Sequence, residues 1–479
     1  VVVATTVVVV AEPQALHWFL LPCGLCGLVW TSRFLAARKR AVSPFDPDTW
    51  LAAFCVHLFF LAPLLHLLFD YYGAPYAAPP DWRPWFGRMA LWNLALSLVV
   101  LGIAGTGDRR SSRRLQPPPL SDARGNAERA VAVARASSYI SGFAFVVLVL
   151  VSGGPLEYLR VSSTRLEAFG GLGWLVLVAD LLPICLALEL ALRERFCLPR
   201  LRLGVVTALV LICTLQILMG GLRGSRVQVV MTGFVVLGLL SWSGRRLRSR
   251  TLVSFAVLAL LFAYLYGFYK TLGTDVFGRL REGASLEELE GESRRGVDVL
   301  LLGDLGRSDI QAAILFQLSE GRPDFERRQG STYLHDVIIN VPTRLRPQLD
   351  ETGSKGAAGT ELLLGQLPEG FRVGNIYGLS GEAMLNFGAV GILPMAAVYG
   401  LISRRVLVRF RRAPNGSAVL LLTPSVILVL LMGLMSDLDQ VVYVVLRFWL
   451  VPYAVYRALG AGKSERLVVD DDAAVGVSS

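Results

Sequence analysis

Residues 377–402 run YGLSGEAMLNFGAVGILPMAAVYGLI. The run is apolar and long enough to cross a membrane, for which about 20 helical residues suffice. Its opening turns are nevertheless polar, with Ser380, Gly381 and Glu382, then Asn386. Glu382 and Asn386 are four residues apart, so on a helix they share one face. A carboxylate and an amide at the mouth of a membrane span are costly unless they face protein, water or substrate. The stretch therefore predicts a membrane helix, 382–402, whose end carries part of a reaction site.

The rest of the chain has the same apolar character. Its 479 residues are 54% hydrophobic and 18% charged, where a soluble domain carries about 25% charged residues. The mean hydropathy is +0.54. Apolar runs recur along the whole length, which predicts an all-α polytopic integral membrane protein. Eleven spans are expected, at 15–35, 49–69, 89–105, 136–152, 172–192, 203–220, 227–243, 251–270, 382–402, 417–435 and 440–457. A helix lost before residue 11 would make twelve. The expected organisation is eight spans in 1–270, one large loop at 271–381, three spans in 382–457 and a polar tail at 458–479.

The net charge of +10 does not signal nucleic acid, because the basic residues are clustered in short loops between apolar runs. One alternate set of short loops carries 27 Lys and Arg, the other 6. The richer set is expected on the cytoplasmic side. That puts the 271–381 loop outside the cytoplasm and the C-terminus inside. The six cysteines lie in or beside apolar runs, so they read as small apolar residues and not as a disulfide framework. No phosphate-binding G-x-x-x-x-G-K-[ST] motif, metal-ligand spacing or G-x-S-x-G elbow occurs. No cofactor or metal is expected.

The 271–381 loop is mildly acidic. Its first part, SLEELEGESRRGVDVLLLGDLGRSDIQAAILFQLSEG, reads as one or two amphipathic helices. Its later part, rich in Pro and Gly, reads as extended. Several arginines could serve a site on this side: Arg223 and Arg226 in GGLRGSR, Arg307, Arg344 and Arg346 in the loop, and Arg447 inside the last span. At ~1.5 Å per residue Arg447 lies roughly 10 Å deep, so it needs a partner or a cavity. Guanidinium groups suit phosphate or diphosphate, offering a planar, permanently charged fork. The plainer alternatives stay open. Arg223 and Arg226 could snorkel at a span boundary, and Arg447 could pair with Asp437, Asp439 or Glu382. Glu382 could simply favour a helix N-terminus, and Asn386 could hydrogen-bond between helices. His335, the loop's one histidine, is a candidate general base or a surface residue. Asp180 and Glu189 are expected to pair internally.

Taken in order, GGLRGSRVQVV, then GSTYLHDVIINVPTRLRPQ in the long loop, then GLSGEAMLNFGAVGILPMAAVYGLI resemble the O-antigen polymerase family, the oligosaccharide repeat-unit polymerases of bacterial surface polysaccharide synthesis. The resemblance covers about residues 200–402, with a weaker echo in SPFDPDTWLAAFCVHLFF. It implies a GT-C-like membrane glycosyltransferase in the bacterial cytoplasmic membrane, with an outward active site. Such an enzyme joins repeat units carried on polyprenyl (undecaprenyl) diphosphate and needs no nucleotide. Its partners would be the polyprenyl-diphosphate-linked oligosaccharide, membrane lipid, a chain-length regulator and a flippase. By the resemblance, Arg223 and Arg226 hold the diphosphate, Glu382 orients or deprotonates the acceptor hydroxyl, and Asn386 supports the helix mouth. Ala383 and Met384 depart from the family, where an aromatic often follows the Glu. A related ligase and a lipid-linked oligosaccharide transporter are the alternatives.

Overall fold

The computed structural model describes residues 1, 18, 20–41, 43–73, 79–105, 123–158, 172–196, 205–221, 225–245, 247, 249–273, 275–341, 353–365, 375–413 and 417–460. Among them every regular element is helical. Among the described residues nine helices are long and apolar enough to cross a membrane: α1 (Leu20–Arg40), α2 (Pro47–Leu68), α3 (Arg83–Gly105), α4 (Gly125–Val151), α5 (Gly173–Arg195), α8 (Arg250–Leu272), α15 (Ala389–Arg411), α16 (Ala418–Met435) and α17 (Leu438–Ala458). The composition is that of a multi-pass membrane protein. The other two expected spans coincide with shorter apolar helices, α6 (Thr207–Gly221) and α7 (Arg226–Trp242).

The expected continuous helix 382–402 is corrected. The chain folds as α14 (Gly378–Phe387), breaks at Gly388, and restarts as α15. Gly388 has φ +74°, a conformation that side-chain-bearing residues avoid, and its N–H closes α14 on the Met384 carbonyl. Glu382 thus belongs to a separate short helix and not to the mouth of the span.

The 271–381 segment is more helical than expected. It contains α9 (Asp275–Arg281), α10 (Leu286–Ser293), α11 (Ser308–Phe316), α12 (Ser331–Ile338) and α13 (Lys355–Leu364). The expected extended course fails at α13. Its signals were local: Ser354 Oγ accepts the Ala357 N–H at 3.1 Å, and Gly365 ends the helix in the left-handed region.

The chain divides into two compact units. The first holds 1–112, 294–409 and 429–443, the second 113–293, 410–428 and 444–479. In the first unit, α2 starts at the D-P-D-T sequence. Asp46 Oδ2 accepts the Thr49 N–H at 2.7 Å, and Pro47 occupies the first turn, where its missing N–H costs nothing. Arg33 of α1 pairs with Asp48 at 2.9 Å. Buried Trp30 donates its indole N–H to Ser97 Oγ of α3 at 2.9 Å. The aromatic and aliphatic core runs from these helices through Ile314 to Leu385 and Tyr399.

In the second unit, Tyr158 donates to the Met219 carbonyl at 3.1 Å, and Trp242 to that of Ser417 at 3.1 Å. Charges pair at helix ends: Glu189 with Arg135 (3.2 Å) and Arg193 (2.9 Å), and Glu194 with Arg245 (2.6 Å).

Candidate functional site

The candidate site lies in the first unit, where α12, α13, α14 and the turn before α17 meet. α14 opens on Gly378, whose φ is +69° and where a Cβ would stand 3.0 Å from the Leu434 carbonyl oxygen. The helix has no capping side chain at its own N-cap, Tyr377. Asp437 caps it from the turn instead, Oδ1 accepting the N–H groups of Tyr377 and Gly378, each at 2.8 Å. A carboxylate suits the positive end of a helix.

Glu382 and Asn386 follow on one face of α14, with 2% and 0% of their surface exposed. Glu382 Oε2 accepts the Leu438 N–H at 2.9 Å, and Oε1 accepts the Thr332 hydroxyl at 3.2 Å. Asn386 Nδ2 donates to Thr332 Oγ1 at 2.6 Å and to the Glu382 carbonyl at 2.9 Å. Its Oδ1 accepts the Gly330 N–H at 2.9 Å. A donor chain therefore runs from Asn386 through Thr332 to the Glu382 carboxyl.

Asp336 lies one turn beyond Thr332, on the same face of α12. Its Oδ2 accepts the Asp439 N–H at 3.1 Å. Lys355, the first residue of α13, reaches the same place. Its Nζ is 2.8 Å from Asp437 Oδ2, in contact with Asp439 Oδ1 and 4.0 Å from Asp336 Oδ2.

Four carboxyls and one ammonium thus share a largely water-free space, and their titration departs from the ordinary. Burial, then Asp437 and Asp336, pushes Glu382 up to about 9, so it keeps its proton at neutral pH. Burial raises Asp336 to about 6, with Lys355 opposing and Asp439 reinforcing the shift. Asp437 is raised by burial against the pull of Lys355. Burial alone would lower Lys355, but Asp437, Asp439 and Asp336 outweigh it and raise the ammonium's pKa. The Tyr333 ring stacks on Phe387 at 6.2 Å. Its hydroxyl is buried without a hydrogen-bond partner among the described residues. Burial and the nearby Glu382, Asp437 and Asp336 raise its pKa.

His335 and Arg307 are the other expected site residues described in this unit. His335 Nδ1 is 3.9 Å from Asp336 Oδ1, beyond hydrogen-bond length. Arg307 is buried, and Nε donates to the Met435 carbonyl at 3.0 Å while Nη1 donates to those of Gly303 and Asp304 at 2.9 and 3.1 Å. These bonds fasten a turn through Nε and Nη1. Arg226 and Arg447 belong to the second unit. Arg226 Nη1 donates to the Ala263 carbonyl at 2.8 Å. Arg447, fully buried, pairs with Asp180 at 2.9 Å and donates to Gln216 Oε1 at 2.8 Å. Of the partners that its depth demanded, Asp180 is one. Arg223, Arg344 and Arg346 lie outside the described residues.

Sequence reasoning missed Thr332, Asp336 and Lys355, and weighed Asp437 and Asp439 only as partners of Arg447. Signals existed. S-D-L-D at 436–439 is a polar turn between two apolar runs, and Lys355 is one of only four lysines. Among the described residues no group of three or more His, Cys, Asp or Glu side chains is arranged to hold a metal ion. Comparison of the chain with protein-family models, curated proteins and solved structures gives no match.

Proposed function

We propose that the protein is a membrane glycosyltransferase that polymerises polyprenyl-diphosphate-linked oligosaccharide repeat units for a bacterial surface polysaccharide. The observation that carries this reading is the meeting of two segments on which the family resemblance rests. Thr332 and Asp336 come from GSTYLHDVIIN, Glu382 and Asn386 from GLSGEAMLNFG, and hydrogen bonds tie Thr332 to both residues of the second segment. The loop charge bias supports eleven spans and an extracytoplasmic 271–381 segment in the cytoplasmic membrane.

In this reading an acceptor sugar hydroxyl attacks the anomeric carbon of the donor glycan. The bond from that carbon to the diphosphate oxygen breaks, and the polyprenyl diphosphate leaves with the electron pair. The hydroxyl proton passes to a carboxylate. Asp336, raised but ionised at neutral pH, suits that role better than Glu382, which already holds a proton and suits a hydrogen-bond donor that orients the acceptor. The unpartnered Tyr333 hydroxyl offers the sugar a further contact. Assignment of Arg223 and Arg226 to the diphosphate rests on the resemblance alone.

The test gives the purified full chain, in lipid nanodiscs, lipid-diphosphate-linked repeat units extracted from its source membrane, without nucleotide. A ladder of longer glycans is expected, and Asp336→Asn should slow its growth by about 100-fold or more. Translocation without joining, or a ladder unaffected by Asp336→Asn and Glu382→Ala together, would reject the reading.

A further inference from the structure

α12 has two faces of opposite character. Thr332 and Asp336 point into the polar cluster and are 0% and 2% exposed. On the other side Leu334 (63%) and Val337 (47%), three positions apart, form an exposed apolar stripe, and exposed Val341 (36%) follows beyond the helix end. Nothing among the described residues of the first unit covers that stripe.

The position of α12 says what does. Its N-terminal end is bolted to the end of α14 by three backbone N–H groups: Arg328 donates to the Leu385 carbonyl, Gln329 to that of Asn386, and Gly330 to Asn386 Oδ1. Phe387, 41% exposed, follows, with Tyr333 stacked on it. Two residues later the membrane-length helix α15 begins. Its outer stripe, Val390 (68%), Val398 (49%), Leu401 (51%) and Ile402 (49%), is apolar and exposed, as a lipid-facing surface must be. The α12 stripe, Phe387 and Val390 therefore continue one apolar surface from the top of a span onto the adjoining helix.

We propose that α12 is an interfacial helix, its Leu334–Val337 stripe embedded, with Val341 just beyond it, in the apolar edge of the bilayer where α15 enters. Lipid acyl chains are the occupant. An amphipathic helix lying in the membrane plane buries its apolar face to a depth of about 5–10 Å. Thr332 and Asp336, on the opposite face, then sit at the level of the lipid headgroups. This inference does not depend on the polymerase reading.

The test uses the full chain in liposomes of zwitterionic phospholipid, with nitroxide labels on Leu334→Cys, Val337→Cys, Val398→Cys and Asp324→Cys. Asp324 is an exposed polar residue of the same unit. Collision rates with oxygen, which concentrates in lipid, and with a water-soluble nickel chelate are compared. The oxygen-to-nickel ratio at 334 and 337 is expected within about twofold of that at 398 and about fivefold or more above that at 324. A ratio at 334 and 337 equal to that at 324 would overturn the proposal. Surface labels leave the core intact, and the Val398 signal reports correct insertion in each preparation.

Discussion

Glu382→Gln keeps the shape of the side chain and removes its titration, so it isolates the effect of the buried carboxyl. In the folded protein Glu382 holds its proton to about 9, against 4.5 for the unperturbed group. Between those values the folded state binds one more proton than the unfolded state. Stability must then fall as pH rises, by about 1.4 kcal/mol per unit, and the loss is complete once pH passes the folded value. From about pH 6.5 to about pH 8.5 the native protein should lose up to about 2.7 kcal/mol relative to the glutamine variant. This window lies above the value of about 6 reached by Asp336, so Asp336 contributes little slope there. The amide cannot copy both hydrogen bonds. Its carbonyl can accept from Leu438, but its NH2 must then meet Thr332 Oγ1, which already receives Asn386. That mismatch costs about 1 kcal/mol at every pH. The two stability curves should therefore differ in slope and cross at about pH 5, below the window, so that the variant is the more stable throughout it and increasingly so as pH rises. Thermal unfolding in nanodiscs, followed by tryptophan fluorescence, reads the slope as a relative shift of about 5–10 °C across the window. Parallel curves, or a native protein that gains stability as pH rises, would refute the buried protonated carboxyl.

Two further substitutions test the charge networks. Lys355→Met should leave Asp437 without its ammonium, 2.8 Å away at present, and destabilise the protein by about 3–5 kcal/mol. The deficit should shrink as pH falls and the raised Asp336 and Asp437 take up protons, which melting curves at two pH values will show. Arg447→Met should cost a similar ~3–5 kcal/mol by stranding buried Asp180, and Asp180→Asn in the same chain should restore most of it. Recovery of melting temperature in the double variant separates a structural pair from a substrate-binding arginine.

Much of the helical plan was legible because membrane spans declare themselves by apolar length. α1 to α3 lie close to their expected spans, whereas the helix start at Ser354 was passed over because the surrounding Pro and Gly suggested an extended course. The break at Gly388 was only hinted at: the glycines of 381–391 suggested a broken helix, but which of them takes the left-handed conformation is decided by tertiary packing. The pairing of Glu382 with Asn386 was readable from their spacing. Their union with Thr332, Lys355 and Asp437 was not, since it joins segments distant in the chain, Thr332 and Glu382 being 50 residues apart, and depends on tertiary packing alone. Arg447 shows the same limit. Its depth demanded a partner, but Asp180 is 267 positions away.

The electrostatics of the cluster restrict what it can bind. Burying charge is costly, and a core built for stability alone is served as well or better by apolar residues. Here four carboxyls face one ammonium, Lys355, and Glu382 is held neutral. A diphosphate placed against this surface would meet acceptor groups and a single cation already shared among three aspartates, a poor match for its own charge. A sugar is different. Its hydroxyls are neutral, they donate to carboxylates, and they can meet the lone Tyr333 hydroxyl. In the polymerase reading the Glu382 cluster must therefore receive the glycan end of a substrate, and the diphosphate must be held by other residues. This divides the labour that the sequence had assigned to one mouth: in that reading Glu382 with Asp336 is left to the hydroxyl, and Arg307, whose Nε and Nη1 already donate to carbonyls, has only Nη2 to offer a phosphate.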